Sequence, residues 1–326
     1  MVTDSLEFSV VEGWEQLPEG WTHLDVADVA VDAQDRVFVF GRRQNRVIIY
    51  APDGSFIDSW GSEHFTNPHA LTIGPDGNVY TVDDGEHTLR KWTPEGELLM
   101  TLGTPGQPSD TGSEKSADTI THVGPPFNRP TKAWVFRDGR IYVTDGYGNA
   151  RVHRFSADGE LELSWGAPGE GPGEFVIPHS IAASPDETRI YVADRENNRI
   201  QVFDPDGGYI EEFAGLTRPC GLTVGPDGHL YVGELGERSG RTTWLRAQTP
   251  ESPFSRCSIL SPEGEVLARW GTPDSCAPGS FYATHALALD SNGDLYVGEV
   301  TYSAGGKNGD VPDDCHTLQK FERVSR

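Results

Sequence analysis

Three histidines stand in closely similar settings: Pro68-His69-Ala70, Pro178-His179-Ser180 and Thr284-His285-Ala286. A neutral imidazole is a ligand for divalent transition metals. Three of them with an open fourth position make the tetrahedral site of catalytic zinc, with bonds of about 2.0–2.1 Å. The other seven of the 10 histidines, His23, His87 and His229 among them, follow no such pattern and read as ordinary polar residues. Whether the three can meet depends on the elements that carry them.

Those elements repeat. A unit of about 40 residues recurs six times, a period that marks repeat architectures. The units open at Val26-Ala27-Asp28, Pro68-His69-Ala70, Pro130-Thr131-Lys132, Pro178-His179-Ser180, Pro219-Cys220-Gly221 and Thr284-His285-Ala286. Each continues into an apolar strand: RVFVF, NVYTV, RIYVT, RIYVA, HLYVG and DLYVG. A later turn reads APDG, TPEG, SADG, DPDG or SPEG, and Trp60-Gly61, Trp165-Gly166 and Trp270-Gly271 close three units. Asp-Gly and Glu-Gly suit tight hairpins, so each unit is a four-stranded blade that buries its faces only against neighbours. A β-sandwich also has alternating strands, but six in-phase repeats favour a ring. The expected fold is an all-β, six-bladed β-propeller forming one domain over 1–326, with blades at approximately 26–61, 68–103, 130–166, 178–215, 219–271 and 284–324. The sixth unit reaches its third strand, TLQKF, almost at the C-terminus, so a strand at 6–11 is expected to supply its outer strand and close the ring.

Blade geometry sorts the residues by face. The loop between a blade's second and third strands lies on the face where its inner strand begins, and the PDG-type turns lie on the other. The long loops 104–129, 235–256 and 301–314 all belong to the first face, and loops of that length in a compact domain are usually functional. The three histidines occupy one position at that face in blades 2, 4 and 6, which a six-fold ring relates by an approximate three-fold axis. Their side chains should converge on the channel. Arg42 and Arg195 follow the second strands of blades 1 and 4, across the ring from each other, and guanidinium groups there can hold a carboxylate by bidentate bonds. The alternative for each arginine is a salt bridge with a neighbour such as Asp194 or Glu196. Tyr147, in TDGYGNAR, lies on the same face in blade 3; a phenol near a metal can act as a base, or simply pack in its loop. Cys220 fills the histidine position in blade 5, where it reads as a small buried residue or as a thiol with a role.

Composition narrows the partners. Carboxylates outnumber bases 50 to 26, for a net charge of -24, which argues against nucleic acid. No stretch approaches the roughly 20 apolar residues of a membrane span. MVTDSLEFSVVEGW lacks the basic start and apolar run of a secretory signal, so a cytoplasmic location is expected. Cys220, Cys257, Cys276 and Cys315 show no close pairing motif, and free thiols are expected.

The phrases NPHALTIGPDGNVYTVDD, TDGYGNARV, IPHSIAASPDETRIYVADRENNRIQVF and THALALDSNGDLYVGE resemble peptidyl-α-hydroxyglycine α-amidating lyase, the lyase half of the peptide-amidating system, within the NHL-repeat propellers. The resemblance spans all six blades and is most specific at ADREN-NRIQVF and DGYGN-R. It implies that His69, His179 and His285 bind zinc, or another divalent transition metal in its place. It implies that Tyr147 deprotonates the substrate hydroxyl and that Arg195 and Arg42 hold a carboxylate. The implied reaction breaks a hemiaminal into an amide and an aldehyde acid such as glyoxylate. A small or short peptide-like substrate with a carboxylate is the expected partner. The resemblance also implies a structural calcium held in part by an aspartate after the third histidine, where this chain has Ala286. The family's paired cysteines are absent as well: Gly148 follows Tyr147, and Ile190-Tyr191-Val192 precedes ADREN.

Two rival classes remain. A lactonase-like hydrolase would hold calcium through oxygen ligands, with Glu234 and Glu299 as contributors. A non-catalytic NHL interaction module would hold no metal tightly.

Overall fold

A computed structural model describes residues 6–44, 46–114, 117–237 and 253–324. Six four-stranded antiparallel sheets follow one another around a ring, and each repeat forms one sheet, as the sequence predicts. Blade 2 is representative, with strands Pro68–Ile73, Val79–Asp83, Thr88–Trp92 and Leu98–Leu102 in spatial order. The second strands are buried throughout, as in Val37–Gly41 and Ile141–Asp145. The fourth strands, such as Phe56–Trp60, are largely exposed. That gradient explains why second strands read as continuous Val-Tyr-Val runs.

The apolar core is divided between the blades. One cluster joins Val29 and Val39 of blade 1 to Ala286 and Tyr296 of blade 6. Another joins Phe40 and Val47 to Leu71 and Trp92 of blade 2. The same arrangement recurs between blades 2 and 3, 3 and 4, 4 and 5, and 5 and 6. No blade can bury its faces alone, so the ring must close. It closes as expected: Phe8–Val11 pairs antiparallel with Leu318–Arg323 and becomes the outer strand of blade 6.

The closing Trp-Gly pairs have a packing role. Gly61 has φ +91°, and a Cβ there would meet the Phe65 ring at 2.5 Å. Gly166 repeats this with φ +101° against Phe175 at 2.6 Å. Each glycine lets the phenylalanine that precedes the next inner strand lie against the end of the previous blade.

The described residues of the 104–129 and 301–314 loops lie on the histidine face. Thr111 and Asn128 fasten 104–129 beside blade 3: the Asn128 amide donates to Thr111 Oγ1, which donates to the Gly148 carbonyl. The 301–314 loop opens with a short helix, Thr301–Ala304. Of the 235–256 loop, residues 238–252 lie outside the described residues.

One expectation is corrected. Cys276 and Cys315 form a disulfide, while Cys220 and Cys257 are free and buried. The pair is separated by 39 residues with no spacing motif. The ring brings the thiols together by placing the connection into blade 6 and that blade's long loop on one face. A bond closing a loop of that length contributes about 4 kcal/mol by the chain-entropy account. Mild reduction is therefore expected to lower the melting temperature, with no such shift in a Cys276→Ser/Cys315→Ser variant; scanning calorimetry with and without reductant checks this.

Candidate metal centre

In every blade the pairing register between the first two strands shifts at the second residue of the inner strand. Those six residues are Ala27, His69, Thr131, His179, Cys220 and His285. A local slip of this kind re-aims a side chain, and here it turns the three histidines toward one another. Their ring centroids are 4.9 Å (His69 to His179), 5.0 Å (His69 to His285) and 4.8 Å (His179 to His285) apart. One ligand atom from each lies within 4.8 Å of the others.

The odd blades orient the even ones. His69 Nδ1 lies 2.5 Å from the Thr131 carbonyl, His179 Nδ1 2.9 Å from the Cys220 carbonyl, and His285 Nδ1 2.7 Å from the Ala27 carbonyl. A carbonyl only accepts, so each Nδ1 carries the proton and donates it, leaving each Nε2 unprotonated and able to act as a ligand or acceptor. Metal-binding histidines are held in this way. The three acceptors sit at the histidine position of blades 3, 5 and 1, so the bracing follows the same approximate three-fold symmetry as the histidines.

Electrostatics favour neutral rings. Burial, then the His285 and Arg42 charges, hold His69 well below the usual histidine range. Burial and Arg195 do the same to His179. Burial and Arg42 bring His285 to about 3, against an ordinary value of 6.5. Three converging neutral imidazoles fit a divalent transition metal. In metal-free protein the unfolded chain binds more protons between these limits. Stability is therefore complete above about pH 6.5 and falls as pH drops toward the folded values, by up to about 1.4 kcal/mol per pH unit per histidine. Urea midpoints of the metal-free protein are expected to fall between pH 7 and pH 5, and less steeply in His285→Asn.

Tyr147 completes the cluster. Its hydroxyl is 3.0 Å from Nε2 of both His69 and His179. Arg195 Nη1 donates to that hydroxyl at 3.4 Å, and its guanidinium lies over the ring at 5.5 Å. Burial raises the phenol's pKa, and Arg195 opposes the rise. Arg195 also pairs with Glu196 at 2.8 Å, so the site role and the salt bridge coexist. Asp194 instead holds Arg199. Arg42 donates to the Pro68 carbonyl at 3.1 Å and to Ser303 Oγ at 3.3 Å, and lies 3.6 Å from Asp25. Its charge still reaches the triad, since it lowers both His69 and His285.

Sequence reasoning missed several neighbours. The Arg129 guanidinium also lies over the Tyr147 ring, 4.9 Å from its centre, and its Nη2 donates to Asp84 at 2.8 Å. Asp84 is buried. Glu196 links Arg195 to Arg218, which it meets at 3.1 Å. Arg129 and Arg218 each stand just before the Pro that opens an inner strand, and both have positive φ; that Arg-Pro pairing in blades 3 and 5 was the available signal. Cys220 Sγ lies 3.5 Å from His179 Nδ1 and is fully buried.

Glu234 and Glu299, the oxygen ligands of the hydrolase reading, are engaged elsewhere. Glu234 accepts from the Thr217 N–H and from Arg256. Glu299 accepts from the Tyr282 and Ala283 N–H groups. Both fasten the loop that leads into their blade, as Asp83 does in blade 2.

A family model described as a 6-bladed beta-propeller matches residues 133–223. The chain is 31% identical over 280 residues to NHL repeat-containing protein 3 of Homo sapiens, covering 79% of this chain and 75% of that protein. It is 29% identical over 257 residues to a probable peptidyl-alpha-hydroxyglycine alpha-amidating lyase of Caenorhabditis elegans, covering 78% of this chain and 67% of that protein. Among solved structures, virginiamycin B lyase from Staphylococcus aureus superposes with a TM-score of 0.58 at 18% identity, covering 90% of this chain and 82% of that one. That last likeness is one of fold.

Proposed function

Because the chain belongs to the NHL-repeat propeller family that contains the peptidyl-α-hydroxyglycine α-amidating lyases, we propose that it is a metal-dependent carbon–nitrogen lyase. Its substrate is an α-hydroxyglycine-type hemiaminal amide, and its products are an amide and glyoxylate or a similar aldehyde acid. The observation that carries this reading is a triad of neutral, carbonyl-braced imidazoles with the Tyr147 hydroxyl 3.0 Å from two of them. His69, His179 and His285 would hold zinc, or another divalent transition metal, which when bound supplies Lewis acidity toward the substrate's oxygens.

The remaining chemistry falls to the chain's own residues. Reacting as the phenolate that Arg195 stabilises, Tyr147 accepts the proton of the substrate hydroxyl at its phenolic oxygen. The freed electron pair forms the aldehyde C=O, the C–N pair leaves with the amide nitrogen, and that nitrogen takes up a proton. Tyr147 is suited to return it, because burial favours the protonated phenol while Arg195 stabilises the phenolate. Arg195 and Arg42 orient the carboxylate on the two sides of the triad. An acidic surface repels anions at long range, so these local cations must capture the carboxylate near the centre. The substrate is small or short and peptide-like, and nucleic acids and membranes are not partners. Among the described residues, no helix is long and apolar enough to cross a membrane. The Cys276–Cys315 disulfide supports an oxidising compartment over the cytoplasmic location suggested by the sequence.

The test is direct. Zinc-loaded protein is incubated with a benzoyl-α-hydroxyglycine substrate, and glyoxylate and benzamide are measured together. Equal release of both, absent from metal-stripped protein, supports the lyase; hydrolysis of a sugar lactone without glyoxylate release supports the hydrolase instead.

A further inference from the structure

One residue beyond the histidine level, the inner strands carry Asp28, Ala70, Lys132, Ser180, Gly221 and Ala286, all lining a small space at the channel axis. Four of these are small. The other two form an ion pair across the channel. From blade 3 the Lys132 ammonium donates to the Asp28 carboxylate of blade 1 and, at 3.0 Å, to the Leu71 carbonyl of blade 2. Asp28 also accepts the N–H of Leu71 at 2.7 Å and of Val29 at 2.9 Å. The two side chains are only 12% and 4% exposed.

This layer does not fit the structural calcium that the family resemblance implies. Ala286 replaces the aspartate after the third histidine. The hard oxygen donors that calcium requires are present as the Asp28 carboxylate and the Leu71 carbonyl, but an ammonium already uses them. A second cation beside Lys132 would meet a like charge in a poorly solvated channel.

We propose that Lys132 is the protein's own cation at this level of the channel, tying blades 1, 2 and 3 together in place of a bound calcium ion. The pair also steadies two of the carbonyls that orient the histidines. Thr131, which braces His69, precedes Lys132, and Ala27, which braces His285, precedes Asp28. The histidine centre is thereby independent of calcium.

The test reads melting temperature and bound zinc, neither of which depends on the reaction assigned above. Native protein, Lys132→Ala and Asp28→Ala/Lys132→Ala are each measured with EGTA and with millimolar calcium chloride. Native protein is expected to give the same melting temperature in both. Lys132→Ala strands a buried carboxylate and is expected to melt about 4–7 °C lower in EGTA, with reduced zinc retention. Calcium should restore most of both losses in that variant and neither in the double variant. Native protein stabilised by calcium as strongly as Lys132→Ala would overturn the proposal. So would a Lys132→Ala protein that matches the native one in EGTA or that calcium fails to rescue.

Discussion

His179→Ala protein, purified without a metal-binding tag, is expected to emerge folded but almost free of zinc, whereas native protein carries close to one ion per chain. Zinc sites release roughly 10–16 kcal/mol on binding across about four ligands, so one ligand is worth about 3–4 kcal/mol, or roughly 100- to 1000-fold in affinity. His69→Ala and His285→Ala should behave alike, because all three rings are buried, neutral and braced in the same manner. Cys220→Ala is the informative control. Its backbone carbonyl, not its thiol, receives the His179 Nδ1–H, so that variant should keep its zinc. Elemental mass spectrometry on the set decides the matter: zinc retained by the histidine variants, or lost from Cys220→Ala, would sink the three-ligand assignment.

Tyr147→Phe is expected to reduce kcat by about 100- to 10,000-fold, the range associated with losing a positioned acid–base group, while zinc content stays native. The substitution removes only the hydroxyl that stands 3.0 Å from His69 and His179 and leaves the ring in place against Arg129 and Arg195. Arg195→Lys should separate the neighbouring role. It keeps a positive charge but loses the planar fork, so its larger effect is expected on KM. Steady-state kinetics with zinc counted in every preparation distinguishes the two. A Tyr147→Phe enzyme with near-native kcat would remove the phenol from the mechanism, and one that had lost zinc would show that the hydroxyl helps hold the metal.

The ring and the histidine cluster were legible because both are periodic. Six apolar Val-Tyr-Val strands fix the blade count, and identical placement of His69, His179 and His285 in alternate blades fixes their convergence. What is not periodic was not legible. Thr131, Cys220 and Ala27 matter through backbone carbonyls, and no side-chain pattern announces a carbonyl. Arg129 reaches Tyr147 because the long loop before blade 3 delivers it in a left-handed conformation. Cys276 and Cys315 meet only because two loops of blade 6 share one face. Lys132 and Asp28 pair because the channel brings the inner strands of blades 1 and 3 within reach of each other, and neither charge recurs in the other repeats to announce it.

The alternation of imidazole-bearing and carbonyl-bearing blades has a consequence for how such a ring can be altered. The smallest self-sufficient unit of the centre is a pair of adjacent blades, one supplying a ring nitrogen and the next supplying its brace. Loss of a carbonyl-bearing blade would seat one histidine directly against another histidine-bearing blade, and loss of a histidine-bearing blade would remove a ring nitrogen and leave two carbonyl-bearing blades side by side. Gain or loss of a pair would preserve every local contact and change only how many ligands face the axis. Within each pair the bracing position accepts Ala, Thr or Cys, because it contributes only backbone. A synthetic propeller built as three copies of the His179–Cys220 pair should therefore assemble the same three-nitrogen centre with strict symmetry.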